Sequence, residues 1–221
     1  MTAVRVHNLA ISLDGFGTGE GQRLDAPFGH AGGRLMEWFF PTPTFQGLSG
    51  ARERRPVDDA TLADDEFARQ GFEGIGAEIM GAGKFGPPGW HDDPDWRGWW
   101  GETPPFHTPV LVLTHRPRSP LEMEGGTTFH FIDAAPEDAL AVAREAAGGL
   151  DVRIGGGPTT VREFLDADLV DRMHVVQVPI VLGRGVRLWD GQEGLEERFD
   201  VDSATTPSGV THLTFRRRER A

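Results

Sequence analysis

The chain has 221 residues, 38% of them apolar and 25% charged, and its 34 acidic against 22 basic residues give a formal charge of -12. This length suits a single domain over residues 1–221 with a full core, and the negative balance argues against nucleic acid or an anionic membrane as partner. Cysteine is absent, which excludes disulfides, thiolate catalysis and cysteine-ligated zinc.

At the N-terminus, MTAVRVHNLAISLDG lacks the apolar core of a secretory signal. No stretch approaches the ~18 apolar residues of a membrane span. The expectation is a cytoplasmic protein. Residues 4–13 form a short apolar run with β-branched members, closed by Asp14-Gly15, and read as a buried strand. Residues 15–33 are rich in glycine and predict a long loop, a kind of segment that often carries function. RLMEWFF at 34–40 predicts a short helix ended by Pro41 and Pro43. Residues 46–59 read as an exposed excursion, 64–70 as a helix and 75–80 as a second strand.

Residues 81–109 are irregular and hold Trp90, Trp96, Trp99 and Trp100. VLVLT at 110–114 is a third buried strand, followed by the turn His115-Arg116-Pro117-Arg118, and 127–132 is a fourth. Residues 136–147 are a helix, with Asp133 as its cap and Gly148 at its end. A fifth strand at 152–154 leads into three glycines and a helix at 158–167. Residues 173–182 are a long sixth strand, and 194–201 should pair with 210–216 as a final hairpin. The run RRRER at 216–220 reads as a solvated tail. Strands alternating with helices predict an α/β domain whose mostly parallel sheet is covered on both faces, with an antiparallel C-terminal edge.

The segment DVRIGGGPTTVREFL, 151–165, is the most informative. A strand enters a glycine turn, and Pro158 starts the next helix. Free backbone N–H groups and the positive end of the helix dipole at such a start attract a phosphate. The glycines let a ligand come close, and Thr159 and Thr160 add hydroxyls. The same glycines also suit a plain strand-to-helix turn. The pattern is neither GxxxxGK[ST] nor GxGxxG, so a P-loop or an ordinary Rossmann site is not supported.

The segments LAISLDGFG, IMGAGKFGP, PVLVLTHRP, GGTTFHFI, DVRIGGGPTT and VPIVLGRGVRLWDG follow one another across residues 4–215. This ordered set resembles the dihydrofolate reductase-like family that includes the C-terminal reductase domain of the riboflavin-biosynthesis deaminase/reductase, in a stand-alone branch. The resemblance implies a three-layer fold with an eight-stranded, mainly parallel sheet, and NADPH across the carboxyl ends of the strands. It implies that Ala10 and Gly17 contact the nicotinamide, with Asp14 in the loop between them. Leu113, Thr114 and His115 would flank the adenosine, and Ile154, Gly155, Gly156, Gly157, Thr159 and Thr160 would hold the pyrophosphate, with a cis Gly155–Gly156 peptide. Where relatives carry a GR-type arginine for the 2′-phosphate, this chain has Gly81, Ala82, Gly83 and Lys84; Lys84, His115 and Arg116 are the replacement charges, though lysine lacks the bidentate fork. The residues do not separate NADPH from NADH or a flavin-type cofactor.

The buried acid of dihydrofolate reductases proper has Leu35 as its nearest match. Glu37 is two residues on, about 200° around a helix. Glu37 is therefore either a proton donor or a solvent-facing residue, and dihydrofolate itself is not the expected substrate. His91, Asp92, Asp93 and Asp95 lack regular metal-ligand spacing, so no metal is assigned. Trp38, Trp90, Trp99, Trp100 and Phe106 form either an aromatic wall for a planar heterocycle or loop anchors. The expected function is an NAD(P)H-dependent reductase of a small pterin-, pyrimidine- or ribosylamino-uracil-like C=N or C=O compound. Its alternative is a nucleotide- or ligand-binding protein without turnover. A homodimer is expected, because the apolar run at 173–182 beside Trp189 would leave a strand edge to cover unless the C-terminal hairpin covers it.

Overall fold

The computed structural model describes residues 2–49 and 56–219. In chain order come β1 (Val4–Ser12), β2 (Phe16–Thr18), a 3-10 stretch (Gly29–Met36), α1 (Pro43–Leu48) and α2 (Asp59–Gln70). β3 (Ile75–Gly81) runs into the one-turn α3 (Ala82–Phe85), followed by β4 (Pro109–Leu113), β5 (Leu121–Glu122) and β6 (Thr128–Ile132). Next are α4 (Pro136–Ala146), β7 (Asp151–Gly156), α5 (Pro158–Asp166), β8 (Arg172–Val178) and β9 (Val186–Arg187). α6 (Leu195–Arg198) leads into the hairpin of β10 (Phe199–Thr205) and β11 (Thr211–Arg217).

The main sheet has the order β10-β11-β8-β1-β7-β3-β4-β6-β5. From β8 through β6 all neighbours are parallel; β11, β10 and β5 join antiparallel. Burial on both faces explains why β3 and β4 read as near-continuous apolar runs, whereas β1 alternates over its first residues before its apolar end. One face packs on α4 and α5 through Leu140, Ala143, Val161, Phe164 and Leu165. The other carries two clusters, one under the 3-10 stretch and α2 with Leu35, Phe39 and Ala68, the other under α3 and the tryptophan loop with Phe85, Trp90 and Phe129. This is the expected mixed α/β sheet, with β5, two residues long, added at its edge.

A bulge in β1 has functional weight. The register with β8 shifts between Val6 and Leu9, and Asn8 takes a φ of 61°. Val4 and Val6 face the α4/α5 side; beyond the bulge Ile11 takes that side and Ala10 turns to the opposite cluster. One extra residue thus re-aims the strand end.

Several expected bounds move. The helix at 34–40 is instead the 3-10 stretch, because Gly32 (φ 56°) breaks the helical path before it, and turns follow at 37–41. α2 starts earlier than expected, at Asp59, with the Asp58 side chain accepting from Thr61 N. Of the excursion at 46–59, residues 50–55 lie outside the described residues, while residues to Leu48 belong to α1. Asp133 does not cap α4: Ala135 holds the cap position and Asp133 pairs with His115. β8 ends at Val178, before Pro179, and the hairpin's first strand starts at Phe199 after α6. Arg216 and Arg217 of the expected tail belong to β11. That strand covers the free edge of β8 within the chain, and Trp189 packs against Phe215 at 5.9 Å. Among the described residues no helix is long and apolar enough to cross a membrane.

Candidate active site

A cleft of about 1410 Å³ opens where the parallel strands end, lined by Ala10 of β1, Gly155 of β7, Gly81 of β3 and Leu113 of β4. This is where loops of an open parallel sheet leave room for a ligand. The glycine turn forms its floor. Gly157 stands at the N-cap of α5 with no side-chain cap, no acid sits in the first turn, and Gly157, Pro158, Thr159 and Thr160 all line the cleft. An open helix start of this kind offers backbone donors and positive potential to an anion. The cis peptide lies between Gly156 and Gly157, one position later than the resemblance implies, and Gly156 has φ 98°.

A buried ion cluster holds that floor. Glu78 of β3 and Arg153 of β7 are register partners on adjacent strands. Glu78 Oε2 accepts from Arg153 Nε at 2.8 Å and from Nη2, and Arg153 Nη1 donates to the Gly71 carbonyl at 2.9 Å. Glu78 Oε1 accepts from Lys84 Nζ at 3.0 Å, and Lys84 also donates to the Gly155 carbonyl at 2.7 Å. Burial alone would raise the Glu78 carboxyl, but the charges and hydrogen bonds of Arg153 and Lys84 hold it below the usual range. Removal from water lowers the Lys84 ammonium, with Glu78 opposing. A Cβ on Gly155 would sit 2.0 Å from Glu78 Oε1 and 2.6 Å from Lys84 Nζ, so only glycine fits against this cluster. Gly17 is tight in the same way: its Cβ would lie 2.6 Å from Pro158 Cγ.

Toward β4 and β6 the cleft becomes polar and open. Thr114 Oγ1 pairs with His91 Nε2 at 2.8 Å, exposed Arg116 with Asp92 at 2.6 Å, and exposed His115 with Asp133 at 3.0 Å. His91 and Asp92 of the tryptophan loop are thus engaged with the β4 turn, and among the described residues no group of three metal-ligating side chains forms. Toward β1 and β8 the lining turns apolar, with Phe39, Phe40, Phe45 and Phe72. His7 stands at this end. Its Nε2 donates to the Phe67 carbonyl at 3.2 Å, and burial lowers its pKa to about 4. Behind it, His174 Nδ1 meets Asn8 N at 3.3 Å and Asn8 Oδ1 at 3.2 Å, His174 Nε2 pairs with His212 Nδ1 at 3.0 Å, and His212 Nε2 pairs with buried Asp64 at 3.0 Å.

Of the residues singled out in the sequence, the cleft gathers Ala10, Gly17, Gly81, Lys84, Leu113, Thr114, His115, Arg116, Gly155, Gly157, Thr159, Thr160, Trp99 and Phe106. Five lie elsewhere. Asp14 accepts from the Ser12 hydroxyl and from the Leu182 and Gly183 amides, contacts that lower its pKa to about 2 and tie the loop after β8 to β1. Glu37 is exposed, next to cleft-lining Leu35 and Met36. Ile154 is core, Gly156 would turn a Cβ toward Leu9, and Trp38 is buried edge-on to His212 at 5.5 Å. Trp90 is also core, whereas Trp100 joins Trp99 and Phe106 in the lining. The sequence reading missed Glu78, Arg153, His7 and the phenylalanines. A lone acid and a lone base within two apolar buried strands, in IGAEIMG and DVRIGG, were the available signal for the ion pair.

The family profile described as the RibD C-terminal domain matches residues 6–213. No curated protein matches the chain. Among solved structures, a protein from Shewanella sp. PV-4, provisionally described as a riboflavin biosynthesis protein, is 23% identical with a TM-score of 0.55, covering 99% of this chain and 100% of that one. A pyrimidine reductase-like protein from Corynebacterium diphtheriae is 14% identical with a TM-score of 0.53, over 99% and 93%. The diaminohydroxyphosphoribosylaminopyrimidine deaminase/5-amino-6-(5-phosphoribosylamino)uracil reductase of Thermotoga maritima is 15% identical with a TM-score of 0.52, and this chain spans 57% of it. At these identities the structural likeness concerns the fold.

Proposed function

Because this chain belongs to the RibD C-terminal domain family, we propose that it is an NADPH-dependent reductase of a small planar C=N or C=O compound. The observation that carries the reading is the open start of α5 behind the glycine turn, on the floor of a cleft at the strand ends. The residues fit a dinucleotide: Gly157 leaves open space where a Cβ would stand, Thr159 and Thr160 add hydroxyls, and no acid of the first turn opposes a pyrophosphate. Leu113, Thr114 and His115 would flank the adenosine, and Ala10 and Gly17 would meet the nicotinamide. Lys84 is committed to buried Glu78 and to Gly155, whereas Arg116 shares only an exposed pair with Asp92, so Arg116 is the side chain that would turn to a 2′-phosphate.

The bound cofactor would supply a hydride, which with a proton from solvent reduces the substrate's double bond. The chain itself orients the reactants: the Glu78–Lys84–Gly155 links fix the turn, and the bulge in β1 presents Ala10 to the cleft. A second reading, binding without turnover, draws support from Asp14 and Glu37 both lying outside the cleft.

Trp99 and Trp100 line the cleft, so tryptophan fluorescence is the direct test. Saturable quenching by NADPH is the expected result, stronger than by NADH. No quenching by either, with no calorimetric binding, refutes the dinucleotide reading. NADPH consumption across a panel of heterocyclic and carbonyl compounds then separates reductase from binder.

A further inference from the structure

The end of the cleft toward β1 and β8 differs chemically from the rest. Leu35, Met36, Phe39, Phe40, Phe45 and Phe72 line it. The rings form a connected wall: Phe39 meets Phe45 at 5.2 Å and lies parallel to Phe72 at 6.3 Å, and Phe40 meets Phe45 at 4.9 Å. Such a wall offers dispersion contacts and flat apolar area.

Among the described residues, positive charge at this end is already committed. Among the described residues lining this end, the guanidinium is that of Arg153, which spends Nε and Nη2 on Glu78 and Nη1 on the Gly71 carbonyl, with its face 4.4 Å from the Phe72 ring centroid. His7 is neutral at pH 7. The other charged side chains of the cleft sit on or after β3, β4, β6 and α5: Lys84, Arg116, Asp133 and Glu163. Among the described residues, a phosphate brought into the aromatic end would find no free cation to offset its lost water.

We infer that the substrate seated at this end is an uncharged, largely apolar planar carbonyl or imine compound of about fused-ring size, and not a phosphorylated sugar–pyrimidine. The inference rests on the dinucleotide reading for which end of the cleft is left to the substrate. It separates this chain from the phosphoribosylaminouracil reductase among its structural neighbours.

The test is calorimetric, on protein saturated with NADP+, using 1-tetralone and 1-naphthyl phosphate as probes. 1-Tetralone should bind at least about tenfold more tightly than the phosphate. Phe45→Gln should weaken 1-tetralone by about tenfold while changing NADP+ affinity by less than about twofold. Met36→Gln, at a half-buried position, should do the same and serves if Phe45→Gln loses its native circular dichroism. Equal or tighter binding of 1-naphthyl phosphate, no binding of 1-tetralone, or unchanged affinity in both variants overturns the inference. Failure of NADP+ to saturate the protein instead sinks the dinucleotide reading, and 1-tetralone against 1-naphthyl phosphate on the protein alone then decides the chemistry of this end.

Discussion

Glu78 is a carboxylate at 1% exposure, held by two cations from different elements. Arg153→Met would leave it with Lys84 alone, and breaking a buried pair from one side costs about 3–5 kcal/mol. Chemical denaturation should show that loss; a change below about 1 kcal/mol would mean water reaches Glu78. Histidines set the acid side of stability. Folded His7 titrates near 4 against an ordinary 6.5, and His174 is likewise held well below its ordinary value by burial. Below 6.5 the unfolded chain binds more protons than the folded one, so stability falls as pH drops, with the share of His7 complete near 4 and that of His174 continuing below. At about 1.4 kcal/mol per unit, reduced for a ring that is only partly shielded, His7 contributes on the order of 2–3 kcal/mol to this loss. A melting temperature flat over that window would show these rings charging in place. At this scale the sequence was readable where a residue's chemistry is local: the glycine turn, Thr114 and Lys84 all reach the cleft. It was not readable for Asp14, whose partners Leu182 and Gly183 are far along the chain.

Elements with one face to bury were legible, because period and capping residues are local signals. α4 and α5 begin at Pro136 and Pro158 as expected, and the buried strands lie where apolar runs stand. The 3-10 stretch and α1 were not, since Gly32 breaks one and the other has six residues, capped by Thr42 accepting from Phe45 N. Those pieces carry the aromatic wall, so the sequence pointed to the glycine-turn end of the cleft and not to the aromatic end. The turn before α5 supports a comparison. Gly156→Val would strain a backbone at φ 98° and disturb the fold locally, whereas a Cβ at Gly157 meets no protein atom within 4 Å and would project into ligand space. Gly157→Ala should therefore weaken NADPH by about tenfold or more with little change in thermal stability. Unchanged affinity would move the pyrophosphate elsewhere.

For the molecule as a whole, the edge argument for self-association changes place. β11 covers β8, and the free edge becomes β10, whose residues 200–205 are all exposed. Asp200 and Asp202 pair there with Arg218 and Arg216, charges that discourage uncontrolled pairing while leaving the strand available to a second copy. The homodimer remains our proposal on this edge. Light scattering should give twice 24.2 kDa at micromolar concentration; a constant 24.2 kDa would show that charge alone guards β10.

Lys84 is the one lysine in 221 residues, and its amine stands in the cleft wall at 28% exposure, clasped by Glu78 and the Gly155 carbonyl. Apart from the chain's α-amino group, an acylating reagent therefore meets a single amine, placed where a ligand would shield it. The protein carries a built-in occupancy gauge: the rate at which this position gains an acyl tag should fall in step with filling of the glycine-turn end of the cleft, and one mass increment would read it.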